Sequence, residues 1–234
     1  MIDLERLAAP FGVGPDGLAA LETLLALLAE DDTAPTTVRT RERALHAHVG
    51  DALSGLLVAE LDGALRVADL GAGAGVPGLV LAAARPQMQV VEVESVGRKC
   101  AFMGRAIAAM GLSNAEVACE RAETWRAGRG RCDAVTARAL APLAVIVEYA
   151  APLLRDGGAL VAWKAEPEPA EVADGDAAAA ALGLTPARVL AVPARPQADR
   201  RSLYVYLKVR SLPNGYPRRP GMARKRPIRA SSTA

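Results

Sequence analysis

Aromatic side chains are scarce in this chain of 234 residues. Phe, Trp and Tyr together make up 3% of the sequence, whereas apolar residues of all kinds make up 51%. The core must therefore consist mainly of Ala, Val and Leu. We expect a domain whose packing depends on many small aliphatic side chains.

Cysteine is rare as well, with Cys100, Cys119 and Cys132 as the three examples. Their spacing matches no metal-binding motif, so we expect no metal site. An odd number of cysteines in apolar surroundings also predicts no disulfide framework. The sequence therefore predicts free thiols and a cytoplasmic protein.

Long apolar segments are missing too. No run approaches the roughly 18 residues that cross a bilayer. The first ten residues contain Asp3 and Glu5 and lack the apolar stretch of a signal peptide. We expect no membrane contact.

Acidic residues are absent from the end of the chain. Residues 208–234 contain eight basic residues and no acid, although the whole chain has a net charge of only +2. We predict a basic C-terminal tail over 211–234 that contacts a polyanion, most plausibly nucleic acid. The alternative is an end that serves only solubility.

Apolar segments of strand length alternate with segments of helical periodicity. We predict an N-terminal helical extension over 1–62, with helices near 18–30 and 41–61, and an α/β domain over 63–210. The alternation predicts a mostly parallel sheet. Strands are expected near 65–70, 89–94, 115–119, 132–137, 158–164, 187–193 and 202–209, and further helices near 77–85, 97–111, 141–154 and 169–182.

The most informative segment runs from Asp69 to Gly78 and reads Asp-Leu-Gly-Ala-Gly-Ala-Gly-Val-Pro-Gly. A glycine-rich turn between a strand and a helix is typical of a nucleoside-cofactor site. The segment also satisfies the dinucleotide pattern G-x-G-x-x-G. An acid at Asp69 would repel a pyrophosphate but suits the cationic cofactor S-adenosylmethionine. We favour that cofactor, while a ligand-free turn stays open as an alternative.

An acid at the end of the second predicted strand supports this interpretation. Glu94 follows the glycines by about 20 residues, the usual spacing of an acid that binds both ribose hydroxyls. Glu92 takes this role if the strand ends earlier. A solvated acid at a strand end is the remaining alternative.

Six blocks follow one another along the chain: Asp69–Gly78, Glu94–Lys99, Arg121–Glu123, Cys132–Pro142, Gly158–Lys164 and Tyr216–Pro227. In this order they resemble the RsmG (GidB) family of bacterial methyltransferases, which act on N7 of a guanine in 16S ribosomal RNA. The resemblance spans about residues 33–227 and implies a class I, Rossmann-like methyltransferase fold with a seven-stranded sheet.

The family pattern implies which residues bind S-adenosylmethionine. Gly71 and the backbone around Val76 would contact the methionine part, and Ala122 and Glu123 would flank the adenine. Glu94 stands where the family usually has Asp. The predicted set of cofactor-binding residues is Asp69, Gly71, Gly73, Val76, Glu94, Ala122, Glu123 and Arg138.

Two basic residues are implied at the reacting side. Arg138 would lie at the cofactor and target pocket, and Lys164 would face the RNA; both are our candidate catalytic residues. Alternatively, Arg138 forms an ion pair with an acid such as Asp133 or Glu123, and Lys164 is a solvated lysine. Trp125 and Trp163 either stack on a base or pack in the fold.

The expected chemistry agrees with the residues that come after the fourth predicted strand. Residues 136–139 read Thr-Ala-Arg-Ala and lack the Asn/Asp-Pro-Pro-aromatic loop of exocyclic-amine methyltransferases. Guanine N7 already has a lone pair, so its methylation requires positioning rather than a general base. We expect 16S rRNA or the small ribosomal subunit as partner, and no obligate protein partner.

Two other classes of function stay open at this point. A methyltransferase of the same fold with a small-molecule or protein substrate needs no basic tail. A nucleotide-binding oxidoreductase or a non-enzymatic cofactor sensor would use the same glycine-rich turn.

Overall fold

The computed structural model of the chain describes residues 3–193 and 200–231. Seven strands form one sheet, and their bounds are β1 Arg66–Leu70, β2 Gln89–Val93, β3 Ala115–Ala118, β4 Cys132–Arg138, β5 Leu154–Lys164, β6 Arg188–Ala191 and β7 Ser202–Leu207. Their order across the sheet is β3-β2-β1-β4-β5-β7-β6. Strands β1 to β5 pair in parallel, whereas β7 is antiparallel to both β5 and β6. The predicted mostly parallel sheet of seven strands is confirmed.

Ten α-helices accompany the sheet in the described residues. Their bounds are α1 Leu4–Ala8, α2 Pro15–Glu30, α3 Arg41–Ala44, α4 Asp51–Leu53, α5 Ala59–Asp62, α6 Gly78–Ala84, α7 Gly97–Met110, α8 Leu143–Ala150, α9 Pro169–Leu182 and α10 Met222–Lys225. None of the helices in these residues is long and apolar enough to cross a membrane.

The N-terminal extension covers one face of the sheet. Helix α2 packs on α6 and α7, and its leucines share one apolar cluster with Val67 of β1 and Trp163 of β5. Helices α8 and α9 pack together in the cluster on the other face. The extension is therefore part of the main core.

The continuous helix predicted over 41–61 is wrong in detail. A π-helical segment, Leu45–Gly50, separates α3 from α4, and a 3₁₀ segment, Ser54–Leu57, follows α4. Val58 then takes an extended conformation and ends the helical path before α5. Tertiary contacts override the local helical preference here.

Strand β5 begins at Leu154, four residues before the start that we predicted near 158. Cys132 of β4 pairs with Leu154 of β5, and Ala134 pairs with Ala159. Two positions along β4 thus correspond to five along β5, so β5 contains extra residues here. Gly157 has a φ of +78° in this bulge. This glycine therefore accommodates a β-bulge within the strand.

The prediction of free thiols is wrong for two of the three cysteines. Cys100 of α7 and Cys119, just after β3, form a disulfide bond, with their Cα atoms 5.8 Å apart. The α7–β3 connection returns the chain beside its own helix, which brings these residues together. Cys132 is free and buried, and its burial raises the pKa of the thiol to about 11.

Candidate active site

The glycine-rich loop lies at the carboxyl ends of the parallel strands, between β1 and α6. Gly71, Gly73 and Gly75 have φ values of +64°, +61° and +76°. A Cβ atom on Gly71 would lie 2.5 Å from Cδ1 of Leu140, in the segment after β4. The left-handed conformation and this close approach both require glycine.

Asp69 lies beneath this loop. Its Oδ2 accepts a hydrogen bond of 3.0 Å from the Gly78 N–H, and its Oδ1 accepts one of 2.8 Å from the Thr136 hydroxyl. Only 1% of the residue is exposed. The structure therefore places Asp69 as a support of the loop, which differs from the direct cofactor contact that we predicted.

Glu92 is fully buried next to Asp69 and faces the start of α6. A Cβ atom on Gly78 would collide with its carboxyl group. Burial and the nearby Asp69 carboxylate raise the pKa of Glu92 well above its ordinary value of 4.5. Burial also raises the pKa of Asp69, to about 6, and the hydrogen bonds from Thr136 and Gly78 limit this rise. Burial thus disfavours the charged form of Glu92, and this carboxyl does not face a ligand.

A cavity of about 420 Å³ opens above the loop, at the ends of β1, β2 and β4. The predicted residues Gly71, Glu94, Ala122 and Glu123 all line it. Val76 and Gly73 belong to the loop that bounds it, and Val76 is 5% exposed. The structure thus brings the ends of three strands and the segment after β3 together around one space, as the topology requires.

Glu94 is the acid that faces this cavity. Its Oε1 accepts hydrogen bonds from the N–H groups of Ser95 and Val96, at 2.7 and 2.9 Å. Its Oε2 lies 3.3 Å from the Gly73 nitrogen and 3.5 Å from Nζ of Lys99. These donors fix the carboxylate between the glycine loop and α7, so the structure favours Glu94 over Glu92 as a ligand-binding acid.

Arg138 ends β4 and points towards the N-terminal extension. Its guanidinium donates to the Ala47 carbonyl at 2.8 Å and to Oδ2 of Asp51 at 3.0 Å, and lies 3.0 Å from Nδ1 of His48. Burial and the Arg138 charge lower the pKa of His48 to about 4, so its ring is neutral at pH 7. Arg138 does form an ion pair, but with Asp51 rather than with the acids we considered.

A second, smaller cavity of about 270 Å³ lies beside the first. Lys164 lines it, and its ammonium lies 2.5 Å from Oε1 of Glu171 and 3.3 Å from the Ala141 carbonyl oxygen. Ala139 borders both cavities. With a φ of +53° it is the one residue other than glycine that has a positive φ in the described part of the chain. Such backbone strain is concentrated at functional sites.

Both tryptophans pack in the fold. Trp125 and Trp163 are 4% and 1% exposed, and Trp163 Nε1 donates to the Asp51 carbonyl at 2.9 Å. Trp163 also borders the second cavity. Of the two alternatives for these side chains, the structure supports packing.

A family model described as rRNA small subunit methyltransferase G, or GidB, matches residues 18–203. The chain belongs to this methyltransferase G family. A relative named ribosomal RNA small subunit methyltransferase G, from Rubrobacter xylanophilus, is 43% identical over 82% of this chain and 76% of its own. A relative of the same name from Moorella thermoacetica is 32% identical over 97% of this chain and its own full length.

Solved structures agree on the fold. An S-adenosylmethionine-dependent O-methyltransferase from Thermotoga maritima superposes with a TM-score of 0.54 and 18% identity, over 68% of this chain and 66% of that one. The chain therefore has the class I methyltransferase fold that we predicted.

This family and fold imply S-adenosylmethionine as cofactor, and the larger cavity fits it. The loop lacks Cβ atoms where the main chain borders the cavity, and the anchored Glu94 carboxylate faces a space that a nucleoside can fill. Ala122, on the β3 side, contributes only a methyl group to the lining. These features are the ones a nucleoside with two ribose hydroxyls requires.

Several residues of this site were not among those that we predicted from the sequence. Lys99, Tyr149 and Arg224 also line the larger cavity, and Asp51 anchors Arg138. Lys99 and Arg224 do lie in blocks that resemble the family, which was the available signal. Nothing in the local pattern around Asp51 points to a residue 87 positions further along the chain.

Proposed function

We propose that this chain transfers a methyl group from S-adenosylmethionine to N7 of a guanine in 16S ribosomal RNA. The match to the methyltransferase G family over residues 18–203 carries this proposal. The large cavity at the carboxyl ends of β1, β2 and β4 supports it, because the fold places its cofactor there.

In this proposal the cofactor's ribose lies at Glu94, whose carboxylate accepts from both hydroxyls. Ala122 and Glu123 flank the adenine. Gly71, Gly73 and the main chain near Val76 border the methionine part. Asp69 contributes indirectly, because its hydrogen bond to Gly78 holds the loop against α6.

S-adenosylmethionine supplies an electrophilic methyl group on a sulfonium. The N7 lone pair needs no prior deprotonation, so the chain's task is to align the two reactants and hold them close. We place the target base in the smaller cavity, across Ala139 from the cofactor. Arg138 carries a guanidinium, which does not serve as a general base. It positions the end of β4, and Lys164 lies on the RNA side.

The partner in this proposal is 16S rRNA or the small ribosomal subunit, and the place of action is the cytoplasm. The absence of a metal requirement and of an obligate protein partner stay predictions. The basic tail supports an RNA substrate because it adds positive charge to the chain.

The test is to map N7-methylguanine in 16S rRNA from cells with and without the gene. Purified protein and labelled S-adenosylmethionine are then added to small subunits from the deletion strain. We expect one guanine to lose its N7 methyl group in the deletion strain and to regain it in vitro. Label that enters a protein or a small molecule, but no guanine N7, would refute the proposal.

A further inference from the structure

The segment Gly221–Arg226, which we call the C-terminal strap, folds back onto the methyltransferase domain. Its short helix α10 packs on α8, and Ala223 is 2% exposed. The Gly221 N–H donates to Oε1 of Glu123 at 2.9 Å, 98 residues away in the sequence. The Arg224 guanidinium donates to the Leu140 carbonyl at 3.0 Å. The strap is thus fixed at two points on the rim of the larger cavity.

Arg224 itself lines that cavity, together with Glu123, Leu140 and Tyr149. These three neighbours come from the segment after β3, the segment after β4 and α8. Glu94, the acid at the end of β2, accounts for the ribose in the proposed function. Gly221, three residues before Arg224, is bonded to Glu123. The strap therefore reaches the cavity on the side where Ala122 and Glu123 lie, which is the adenine side in the proposed function.

We propose that the C-terminal strap completes the adenosine end of the cofactor site and that Arg224 contacts the adenine ring. This inference rests on the proposed cofactor. A guanidinium is planar and stacks on aromatic faces, and its N–H groups also donate to ring nitrogens. Glu123 and the Leu140 carbonyl hold the strap so that Arg224 stays at the cavity wall. The basic C-terminal region then serves the cofactor as well as the RNA.

The test compares two ligands by calorimetry on the full chain. S-adenosylmethionine contains both an adenosine and an amino-acid end, whereas 5′-methylthioadenosine lacks the ammonium and carboxylate. We expect Arg224→Ala to weaken both ligands by a similar factor, on the order of tenfold. Lys225→Ala is the matched control, since Lys225 is an exposed neighbour in the same helix, and it should leave both affinities unchanged.

Three results would overturn the inference. The first is weaker S-adenosylmethionine binding with unchanged 5′-methylthioadenosine binding, which would place Arg224 at the amino-acid end. The second is unchanged affinity for both ligands. The third is wild-type protein that does not bind 5′-methylthioadenosine measurably, which would mean that the adenosine end contributes little.

A folding control accompanies these measurements. The melting temperature of each variant without ligand shows whether the substitution disturbs the domain, and Arg224→Lys serves as a second variant that keeps the charge but loses the planar group. We expect Arg224→Lys to recover little of the lost affinity. Full recovery by lysine would contradict contact with the ring. Wild-type protein that binds 5′-methylthioadenosine but does not methylate RNA would refute the proposed function alone.

Discussion

Glu92 lies in strand β2 and Glu94 directly follows the strand, yet the surroundings of the two carboxyl groups differ. Glu92 is buried against Asp69 and α6, whereas Glu94 follows the strand and faces the larger cavity. Burial and the Asp69 carboxylate raise the pKa of the Glu92 carboxyl, whereas main-chain N–H groups orient the Glu94 carboxylate. Substitution of Glu92 should therefore change the stability of the fold, and substitution of Glu94 should change ligand affinity.

At Glu92 we expect a pH-dependent effect on stability. A carboxyl whose pKa is raised on folding loses its stabilising contribution as the pH rises from its ordinary value of 4.5 towards the folded-state value. Glu92→Gln removes this titration and keeps the size and shape of the side chain. The melting temperature of the variant relative to wild type should therefore rise between pH 5 and pH 8. A constant difference across this range would contradict the raised pKa.

At Glu94 we expect an effect on ligand affinity. Glu94→Ala removes the acceptor proposed for the ribose hydroxyls, and hydrogen bonds to a charged group contribute about 1.5–3 kcal/mol. Affinity for S-adenosylmethionine, measured by calorimetry, should fall by roughly 10- to 100-fold. Glu92→Gln is the matched control on the same strand and should bind normally. Equal losses in both variants would mean that the effect comes through the fold.

Between elements, the link of β4 to the N-terminal extension is an ion pair that is almost fully buried. The side chains of Arg138 and Asp51 are 13% and 5% exposed. His48 adds a second contact, since its Nδ1 lies 3.0 Å from the Arg138 guanidinium. The extension thereby fixes the end of the strand that leads into Ala139.

Breaking this pair should be costly. Asp51→Ala leaves the Arg138 charge with fewer partners, and removal of one member of a buried pair typically destabilises a protein by about 3–5 kcal/mol. Chemical denaturation measures the change in the free energy of unfolding. The exposed pair Arg188–Glu60 is the control, and Glu60→Ala should cost less than about 1 kcal/mol. Similar losses for both pairs would contradict the role given to Asp51.

A second link between elements is the disulfide of α7 and the end of β3. The two cysteines are 19 positions apart in the sequence. A disulfide that closes a loop of this size stabilises the folded protein by about 3 kcal/mol, because it restricts the unfolded chain. We expect a reductant to lower the melting temperature of the wild type but not that of Cys119→Ser. Thiol labelling in denaturant without reductant should modify Cys132 alone, and three labelled thiols would refute the disulfide.

At the scale of the whole molecule, the basic C-terminal region is folded against the domain. Arg218 pairs with Glu148 of α8, and Arg229 lies 2.7 Å from Asp174 of α9. Part of the positive charge that the sequence places at this end is therefore neutralised internally. Arg219, Lys225 and Arg226 are exposed and lie at or next to the strap.

RNA binding should depend on these three exposed residues through phosphate contacts. Replacing Arg219, Lys225 and Arg226 with Gln should reduce the slope of log affinity against log salt by about two, with a modest effect on cofactor affinity. Arg188→Gln, on strand β6, should leave the slope unchanged. If the slope is the same for the triple variant and the wild type, these three residues do not contact RNA phosphates.

Local information was sufficient for the elements and for part of the site. Apolar periodicity predicts the seven strands and most of the helices, because burial on a sheet or helix face imposes that period. The glycines after β1 and the acid after β2 could also be predicted, because left-handed turns and strand ends constrain residue type within a few positions.

Contacts between distant residues depended on the tertiary structure. Asp69 accepts a hydrogen bond from Gly78 beneath the loop, and Cys100 forms a disulfide bond with Cys119. Arg138 forms an ion pair with Asp51, and Arg224 donates a hydrogen bond to Leu140, 84 positions away in the sequence. Each of these results from how packed helices and strands bring side chains of separate segments within hydrogen-bond or bonding distance. The spacing of residues along the sequence does not predict which distant side chains come into contact. Those contacts form only when helices pack on the two faces of the sheet.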